Sequence, residues 1–583
     1  MHAPLHEPAH DSGHGSRHDS GQRLPRWADP DVPAASLDAQ GVSRRGLLRT
    51  AGLFGAAFAG GAALLTPSTA EAATAVSGHD GRHGHQSDPE LAYLVGDHHV
   101  HSVYSHDAKY TFSQLSRAAA TYGLDWLVLT EHSNIGHTLP GGAAAEHREI
   151  LRARAENRRM LIFQGLEWYI PGAEHCTVFS PPGRHEVELL TRFEQAYDGK
   201  LLGYTAGAAG HPDTPRNEAH AIKALKWLDQ QRRTGYVDDV LVLANHPLRL
   251  GIDSPHEMRA WRDAAPDIMI GMEGAPGAQA GAFPGWAGPH SVRGEYVNSP
   301  SADSWPGYPA GAYVTYGGFD WATATVGGLW DSMLAEGRLF SITSNSDVHR
   351  VAYDTWKNGD WPPGRNFDNV GRLPDPVNTT EPQPGGDFWP GQFSRTHVGV
   401  TRHGYRQVME GLRAGRVWVD HGQLVDGIDV RVTTEHGAGR GITLGGRLRA
   451  RRGERLFLTV TVTTASRRNH HGELPRLAHL DVIRGAVRGP VEDADTWRAP
   501  DTRVVHTSDV AGRRGRYTLR IPLGRAEESC YLRLRGSDGK RHGPGFLGAA
   551  VDPHGPIPHT PGDGDPWVDT WLYTNPVFVD VVR

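Results

Sequence analysis

The sequence predicts a distorted α/β barrel followed by a small β-sandwich, and three observations carry that expectation. The chain has 583 residues, too many for one ordinary domain, so a catalytic unit of about 300 residues plus a smaller domain is expected. From residue 90 onward, short apolar runs end in polar residues and helix-like segments follow. Near residue 426 the pattern changes to alternating or β-branched runs between Gly-rich and charged turns. Strands without strict alternation are covered on both faces, and the intervening helices supply the cover.

The first unit is built as follows. Leu91 to Val95 leads into Asp97, His98, His99 and His101, and Phe112 to Tyr122 reads as a helix. Trp126 to Leu129 precedes Glu131 and His132, and Met160 to Phe163 precedes Glu167. Val240 to Leu243 precedes Asn245 and His246, Ile268 to Ile270 precedes Glu273, and Leu339 to Ile342 precedes Asn345, Asp347 and His349. In a barrel, groups just past the C-terminal strand ends meet in one pocket. Residues 274–320, rich in Gly, Pro, Tyr and Trp, are expected as an insertion over the site. Residues 353–397 are expected as a rim, a lid or a plain surface excursion. Tyr405 to Leu412 reads as a helix and Arg416 to Asp420 as a strand. Domain boundaries follow at 90–425 and 426–583. In the second unit the runs at 427–432, 456–462, 480–483, 517–521, 531–534 and 577–582 suit a sandwich with no comparable ligand cluster.

The residues before 90 have another character. Residues 1–42 are rich in His, Gly, Pro and Asp and lack the apolar content to offset ordering. Ser43-Arg44-Arg45-Gly46-Leu47-Leu48, an apolar run to Leu65 and Ala70-Glu71-Ala72 form the three-part layout of an export signal. The paired arginines resemble a twin-arginine signal, which carries folded proteins. Residues 1–72 are therefore expected as extension and leader, with export to the periplasm, cell surface or medium, and 73–89 as a linker. A membrane anchor is the rival reading, but Gly52, Gly55, Gly60 and Gly61 weaken the run, so no stable span is expected after cleavage.

Composition excludes several function classes. The 60 basic and 66 acidic residues give a formal charge of -6 without a basic stripe, so nucleic acid is not the expected main partner. Two cysteines, Cys176 and Cys530, make no disulfide framework and read as packed thiols. The folded region has no P-loop, HExxH or CxxC pattern. Oligomeric state is not encoded in any recognisable motif.

What remains is a donor set. His99, His101, Asp107, His132, Glu167, His175, His246, Asp347 and His349 are imidazoles and carboxylates suited to Zn, Mn or Fe, and nine exceed the need of one ion. His211, in Gly210-His211-Pro212, is the reserve for His175. Arg249 and Arg350 either bind phosphate oxygens in pairs or form ordinary surface ion pairs. Asn245 either orients water or substrate or caps a turn. Asp97 and His98 read as supporting or surface groups, and Glu273 as either a site group or turn polarity.

Taken in order, the HxH start with Asp107, the segment ending at His132, Glu167, His175, the Asn-His-Pro segment and the closing Asp347-x-His349 resemble the polymerase-and-histidinol-phosphatase (PHP) family of phosphoesterases. The resemblance spans residues 90–425. The Arg416-to-Gly422 segment and the tail ending Tyr573-Thr574-Asn575-Pro576 look more like an exported branch related to carbaryl hydrolase. The resemblance implies a distorted (β/α)7-type barrel and two or three divalent ions. His99, His101, Glu167 and Asp347 would hold the first, Glu167 would bridge to a second with His175 and His246, and Asp107, His132 and His349 would hold a third. Two departures stand out: Glu131 where Asp is common, and Asp107 where some relatives have His. The expected activity is hydrolysis of a small phosphate monoester or diester, with His349 or His246 as proton donor. Carbamate, ester or amide hydrolysis and metal-dependent binding of an extracellular ligand without turnover are the alternatives.

Overall fold

The computed structural model of the protein describes residues 90–583, apart from 106, 205–213, 283–293, 295–298, 367–369, 372, 384, 438 and 560–564. The expected leader at 1–72, the linker at 73–89, the reserve His211 and part of the expected insertion at 274–320 lie outside the described residues. No helix among the described residues is long and apolar enough to cross a membrane.

The site-bearing part is α/β. Its elements run β1 (Ala92–Asp97), α1 (Phe112–Thr121), β2 (Trp126–His132), α2 (Ile135–Thr138), α3 (Gly142–Glu156), β3 (Leu161–Tyr169), β4 (His175–Ser180), α4 (Glu186–Tyr197), α5 (Gly199–Leu202), α6 (Thr214–Arg233), β5 (Leu241–Ala244), α7 (Pro255–Ala264), β6 (Met269–Ala275), α8 (Trp321–Ala324), α9 (Leu329–Ala335) and β7 (Ser341–Ser344). Local chemistry sets the helix starts. Thr111 and Gln114 exchange side-chain-to-backbone hydrogen bonds in front of α1. Ser254 and Glu257 do the same at α7, with Pro255 as its first residue, where a missing N–H costs nothing.

Strands β1 to β7 are neighbours in that order. All pairs are parallel except those made by β4, which is antiparallel to both β3 and β5. The even strand-then-helix rhythm expected from sequence therefore breaks at β4, and its first residue, His175, is the one that reaches the rim. An isolated parallel bridge, Val100 with Val348, joins the continuation of β1 to the chain leaving β7. Both faces are covered. Val128, Phe163, Leu166 and Trp168 are buried in one apolar cluster with Leu189, Leu190 and Phe193 of α4 and Ala224, Leu225 and Leu228 of α6. Leu127, Leu129 and Ile162 lie in another with Leu115, Ala118 and Ala119 of α1 and Ile150 and Ala153 of α3.

Beyond β7 come a small hairpin, β8 (Trp356–Asn358) and β9 (Pro376–Asn378), then β10 (Ser394–Val400), α10 (Tyr405–Arg413) and β11 (Val417–His421). The rest is β-structure: β12 (Val425–Thr434), β13 (Arg447–Arg451), β14 (Arg455–Thr464), β15 (His479–Ala486), β16 (Arg503–Asp509), β17 (Arg516–Arg525), β18 (Cys530–Ser537), β19 (Trp571–Thr574) and β20 (Val577–Val582). The segment 353–397 thus ends in a strand paired antiparallel to β1, and the sheet continues through β11 to β19 across position 426. Strands β12, β14 and β17 form a separate three-stranded sheet. Leu456, Leu458, Val460 and Val462 of β14 are buried, and they join Leu480, Val482, Leu532 and Leu534 of the large sheet in one apolar cluster. The alternation legible in β14 is what a strand covered on one face requires. Both cysteines are free and buried, as packed thiols.

Candidate metal centre

Glu167 lies two residues before the end of β3 and is about 1% exposed. Five imidazoles surround its carboxylate. His175 Nδ1 stands 2.8 Å, His246 Nε2 3.1 Å and His99 Nε2 3.1 Å from Oε1, while His132 Nδ1 stands 2.6 Å and His101 Nε2 3.3 Å from Oε2. They arrive from four strand ends. His99 and His101 follow β1, His132 closes β2, His175 opens β4 and His246 follows β5. Asp347, following β7, places Oδ1 3.1 Å from His99 Nε2 and 3.0 Å from His101 Nε2. Asp107 returns on the far side, its Oδ2 3.1 Å from His132 Nε2 and 3.4 Å from His349 Nε2. All nine residues expected from the sequence therefore meet in one pocket.

Local backbone strain accompanies two of them. His246 has φ of 27° and Asp347 φ of 45°, left-handed values that non-glycine residues seldom adopt and that concentrate at functional sites. The turn at Asp347 also needs Gly277 beside it. A Cβ there would stand 2.1 Å from the Asp347 Cβ and 2.4 Å from Ser346 O.

Around this cluster sits a supporting layer. Glu273 accepts from His99 Nδ1 at 2.7 Å and from the His246 backbone N–H at 2.7 Å, so one buried carboxylate from β6 fixes two histidines. Asn245 accepts from the Thr177 N–H and hydroxyl and donates to Glu167 Oε1 at 3.1 Å. Its place is to orient Glu167. Glu131 takes hydrogen bonds from Ser102 Oγ and Ser105 Oγ, and Ser105 Oγ is 2.9 Å from His101 Nδ1. Asp97 accepts from the His99 and Ser346 N–H groups and so ties the two strand ends together. His98 is buried between Thr177 and Thr343, and burial pushes its pKa down to about 3. Neither Asp97 nor His98 is a surface group.

Two contributors, Glu174 and Asp387, have no counterpart in the sequence reading, whereas Tyr169 has one as either a pocket-lining or a packing residue. Glu174 directly precedes His175, and its Oε2 lies 3.7 Å from His246 Nδ1 and 3.6 Å from Arg249 Nη1. Adjacency to His175 was the available signal. Asp387 accepts the His349 and Arg350 N–H groups at 2.6 and 3.0 Å, from within a Pro-rich stretch that gives no cue. Tyr169 packs its ring 4.1 Å from that of His175, with Lys200 Nζ 5.3 Å over its face. Arg249 is at the mouth, its side chain 34% exposed. Arg350 is held through its backbone.

The electrostatics follow from crowding charges out of water. Burial disfavours a charged His99, yet Asp347, Glu167 and Glu273 outweigh it and raise its pKa well above the usual value. Burial likewise opposes protonation of His349, but Asp107 and Asp347 lift it to about 9. Glu167 and Asp347 are held far below the usual carboxylate range: burial resists ionisation, and the neighbouring imidazoles, His175 and His99 foremost, overcome it. Protons and divalent cations compete for such sites.

A direct test of fit lies in the atoms left over. Asp107 Oδ1, His132 Nδ1, Glu167 Oε2, His246 Nδ1 and Asp347 Oδ1 are buried without a hydrogen-bond partner. The close approaches to Glu167 Oε2 and Asp347 Oδ1 lack hydrogen-bonding alignment. A dry polar atom costs about 1–3 kcal/mol, so five in one pocket call for a partner of another kind. Nitrogen and carboxylate lone pairs are the donor set of Zn, Mn and Fe. The possible ligand atoms fall into overlapping groups within 4.8 Å: His99, His101 and Glu167; His132, Glu167 and His175; His101, His132 and His349; and Glu174, His175 and His246.

Residues 97–234 match the PHP domain family, a stretch that holds His99, His101, Asp107, His132, Glu167 and His175. No curated protein shows significant sequence similarity to the chain. One similar solved structure is a two-domain protein from Bacteroides vulgatus containing a predicted PHP-like metal-dependent phosphoesterase. It is 14% identical, covers 82% of this chain and 100% of that one, and has a TM-score of 0.30. Another, from Bifidobacterium adolescentis and designated a putative metal-dependent phosphoesterase, is 14% identical over 30% of this chain and 76% of that one, with a TM-score of 0.18.

Proposed function

We propose that this PHP-domain chain is an exported phosphoesterase that hydrolyses a small phosphate monoester or diester at a centre of two or three divalent ions. The observation that carries the reading is the single carboxylate of Glu167 with five imidazoles within 3.3 Å. His99, His101, Glu167 and Asp347 would hold one ion, Glu167, His175 and His246 a second with Glu174 in reach, and Asp107, His132 and His349 a third. When bound, the ions supply Lewis acidity toward a phosphoryl oxygen and lower the pKa of water toward neutrality.

The chain's own groups do the rest. Glu273 and Asn245 hold His99 and Glu167 in place, which preserves ligand orientation through turnover. Arg249 offers paired donors to an anion at the mouth. Ligation and acid duty compete for one ring nitrogen in both candidate proton donors; His349 is 21% exposed and His246 only 5%, so with the third site unfilled His349 is the one able to exchange a proton with solvent. We also read β1 to β7 with the Val100–Val348 bridge as a distorted seven-stranded barrel, the sheets around β14 and β15 as a sandwich, and residues 1–72 as a twin-arginine leader.

The test is reconstitution of stripped protein with Zn, Mn or Fe, then assay on p-nitrophenyl phosphate, its bis ester and an aryl carbamate. Turnover of a phosphate ester that disappears in Glu167→Ala is expected. Carbamate turnover without phosphate-ester turnover, or tight substrate binding without any hydrolysis, would overturn the reading.

A further inference from the structure

The β-rich region has histidines of its own, scattered in sequence and gathered by the fold. His479 opens β15, where it pairs with Ser537 of β18. His542 and His554 lie on the two arms of the loop between β18 and β19. An antiparallel bridge between their next neighbours, Gly543 and Gly555, pins the arms together, and Gly543 N donates to Gly555 O at 2.9 Å. Asp552 on the same loop is anchored by the buried Arg535 guanidinium, with Nη1 2.8 Å from Oδ2. The result brings three imidazole rings together, with centroids 5.8 Å (His479 to His542), 6.2 Å (His479 to His554) and 5.3 Å (His542 to His554) apart.

In the candidate centre the imidazole pairs assigned to one ion are 4.9 Å (His99 and His101), 5.1 Å (His175 and His246) and 5.2 Å (His132 and His349) apart. His542 and His554 stand at that spacing, and His479 lies farther, at 5.8 and 6.2 Å, so those two rings must turn toward it to share an ion. The inner ring is also oriented. Ser537 Oγ sits 3.2 Å from His479 Nδ1, which leaves Nε2 as the open nitrogen. Nε2 is buried and has no hydrogen-bond partner. Its nearest carboxylate oxygen, Asp481 Oδ2, is 3.7 Å away and already accepts from Arg535 Nε at 2.9 Å. Trp571 closes the remaining side, edge-on at 5.7 Å. A buried lone-pair donor fixed through its other nitrogen is how ligating histidines are held.

We propose that His479, His542 and His554 form a second metal site, separate from the PHP centre, for a divalent transition ion that favours imidazole, Zn(II) foremost. His542 is exposed and His554 half-buried, so their rings are free to turn toward an entering ion. The ion would fasten the 538–559 loop to the start of β15. That loop also braces the chain following β6: Ile557 O accepts from Gly317 N at 3.2 Å and His559 N donates to Thr315 O at 2.8 Å. The site is structural, with no reaction assigned to it.

The test uses the full chain. Stripped wild type, His554→Gln and His542→Ala are dialysed against Zn(II), and bound zinc per chain is measured by elemental analysis. Any zinc taken up by histidines before residue 90 is common to all three and cancels in the difference. Each variant is expected to hold one equivalent less than wild type with unchanged phosphate-ester turnover, and zinc is expected to protect the 538–559 loop from proteolysis in wild type alone. Equal zinc content in wild type and both variants would overturn the proposal, as would a lost equivalent accompanied by loss of the centre's turnover.

Discussion

Two of the places where the described residues bury charge are treated in two ways. Where the β-rich region meets α9, Arg533 grips Asp331 through Nε at 2.7 Å and Nη2 at 2.6 Å, with its guanidinium 4.7 Å from the centre of the Trp330 ring. Next to it Arg535 lies between Asp481 and Asp552. Cations and anions there are supplied by the chain itself. At the PHP rim the carboxylates face imidazoles, several nitrogens face one another, and five buried atoms lack partners. The difference teaches how to separate a structural charge cluster from a functional one. The first is closed within the protein apart from Arg533 Nη1, and the second, on the reading proposed above, by something the chain does not encode.

This contrast can be broken most sharply at Glu167. Glu167→Ala should reduce phosphate-ester turnover to background and lower the bound metal content, with the far-UV circular dichroism of wild type. Metal content and turnover equal to wild type would remove Glu167 from the centre. Next in size is Arg533→Met, which leaves Asp331 buried and unpaired and should cost about 3–5 kcal/mol in denaturant unfolding. Adding Asp331→Leu should recover most of the loss, and metal content should stay that of wild type. If stability were unaffected by Arg533→Met, the closed character of that cluster would be wrong.

Smaller effects sharpen the picture. Glu273→Gln keeps the shape but weakens the hold on His99 and the His246 backbone, so metal affinity should fall about 10–100-fold, read by competition with a chelator. An unchanged affinity would make Glu273 a bystander. The smallest effect is expected for Arg249→Ala at the mouth. KM should rise about tenfold, the equivalent of one charge-assisted hydrogen bond, with kcat little altered. A fall in kcat at constant KM would place Arg249 in the reacting step instead.

Much of the centre was legible because its residues sit at the ends of apolar runs, and strand ends converge in an α/β fold. His99, His132, His246 and Asp347 are of this kind. Glu174 was hidden because β4 reverses direction, so its ligand-bearing end is its start, and no pattern of strand followed by polar residues marks it. Strand β10, with Ser394, Arg395, Thr396 and His397, reads as loop in isolation. It is a strand because β1 and β11 pair with it on both sides. Strand β16 is mostly exposed and Arg447 to Arg451 of β13 alternates with arginine, so neither gives an apolar signal strong enough to find. The trio of His479, His542 and His554 was missed for a different reason: only the Gly543–Gly555 bridge and the β15–β18 pairing bring them together.

The central claim is that Glu167 stands among cations. Anomalous scattering measured at the Zn, Mn and Fe edges, on crystals of protein purified without chelator, tests it most directly. The account predicts two or three strong peaks between the imidazoles of His99, His101, His132, His175, His246 and His349, with the Glu167 carboxylate bridging two of them. A fully loaded protein whose peaks all lie elsewhere, with Glu167 contacting none, would contradict it.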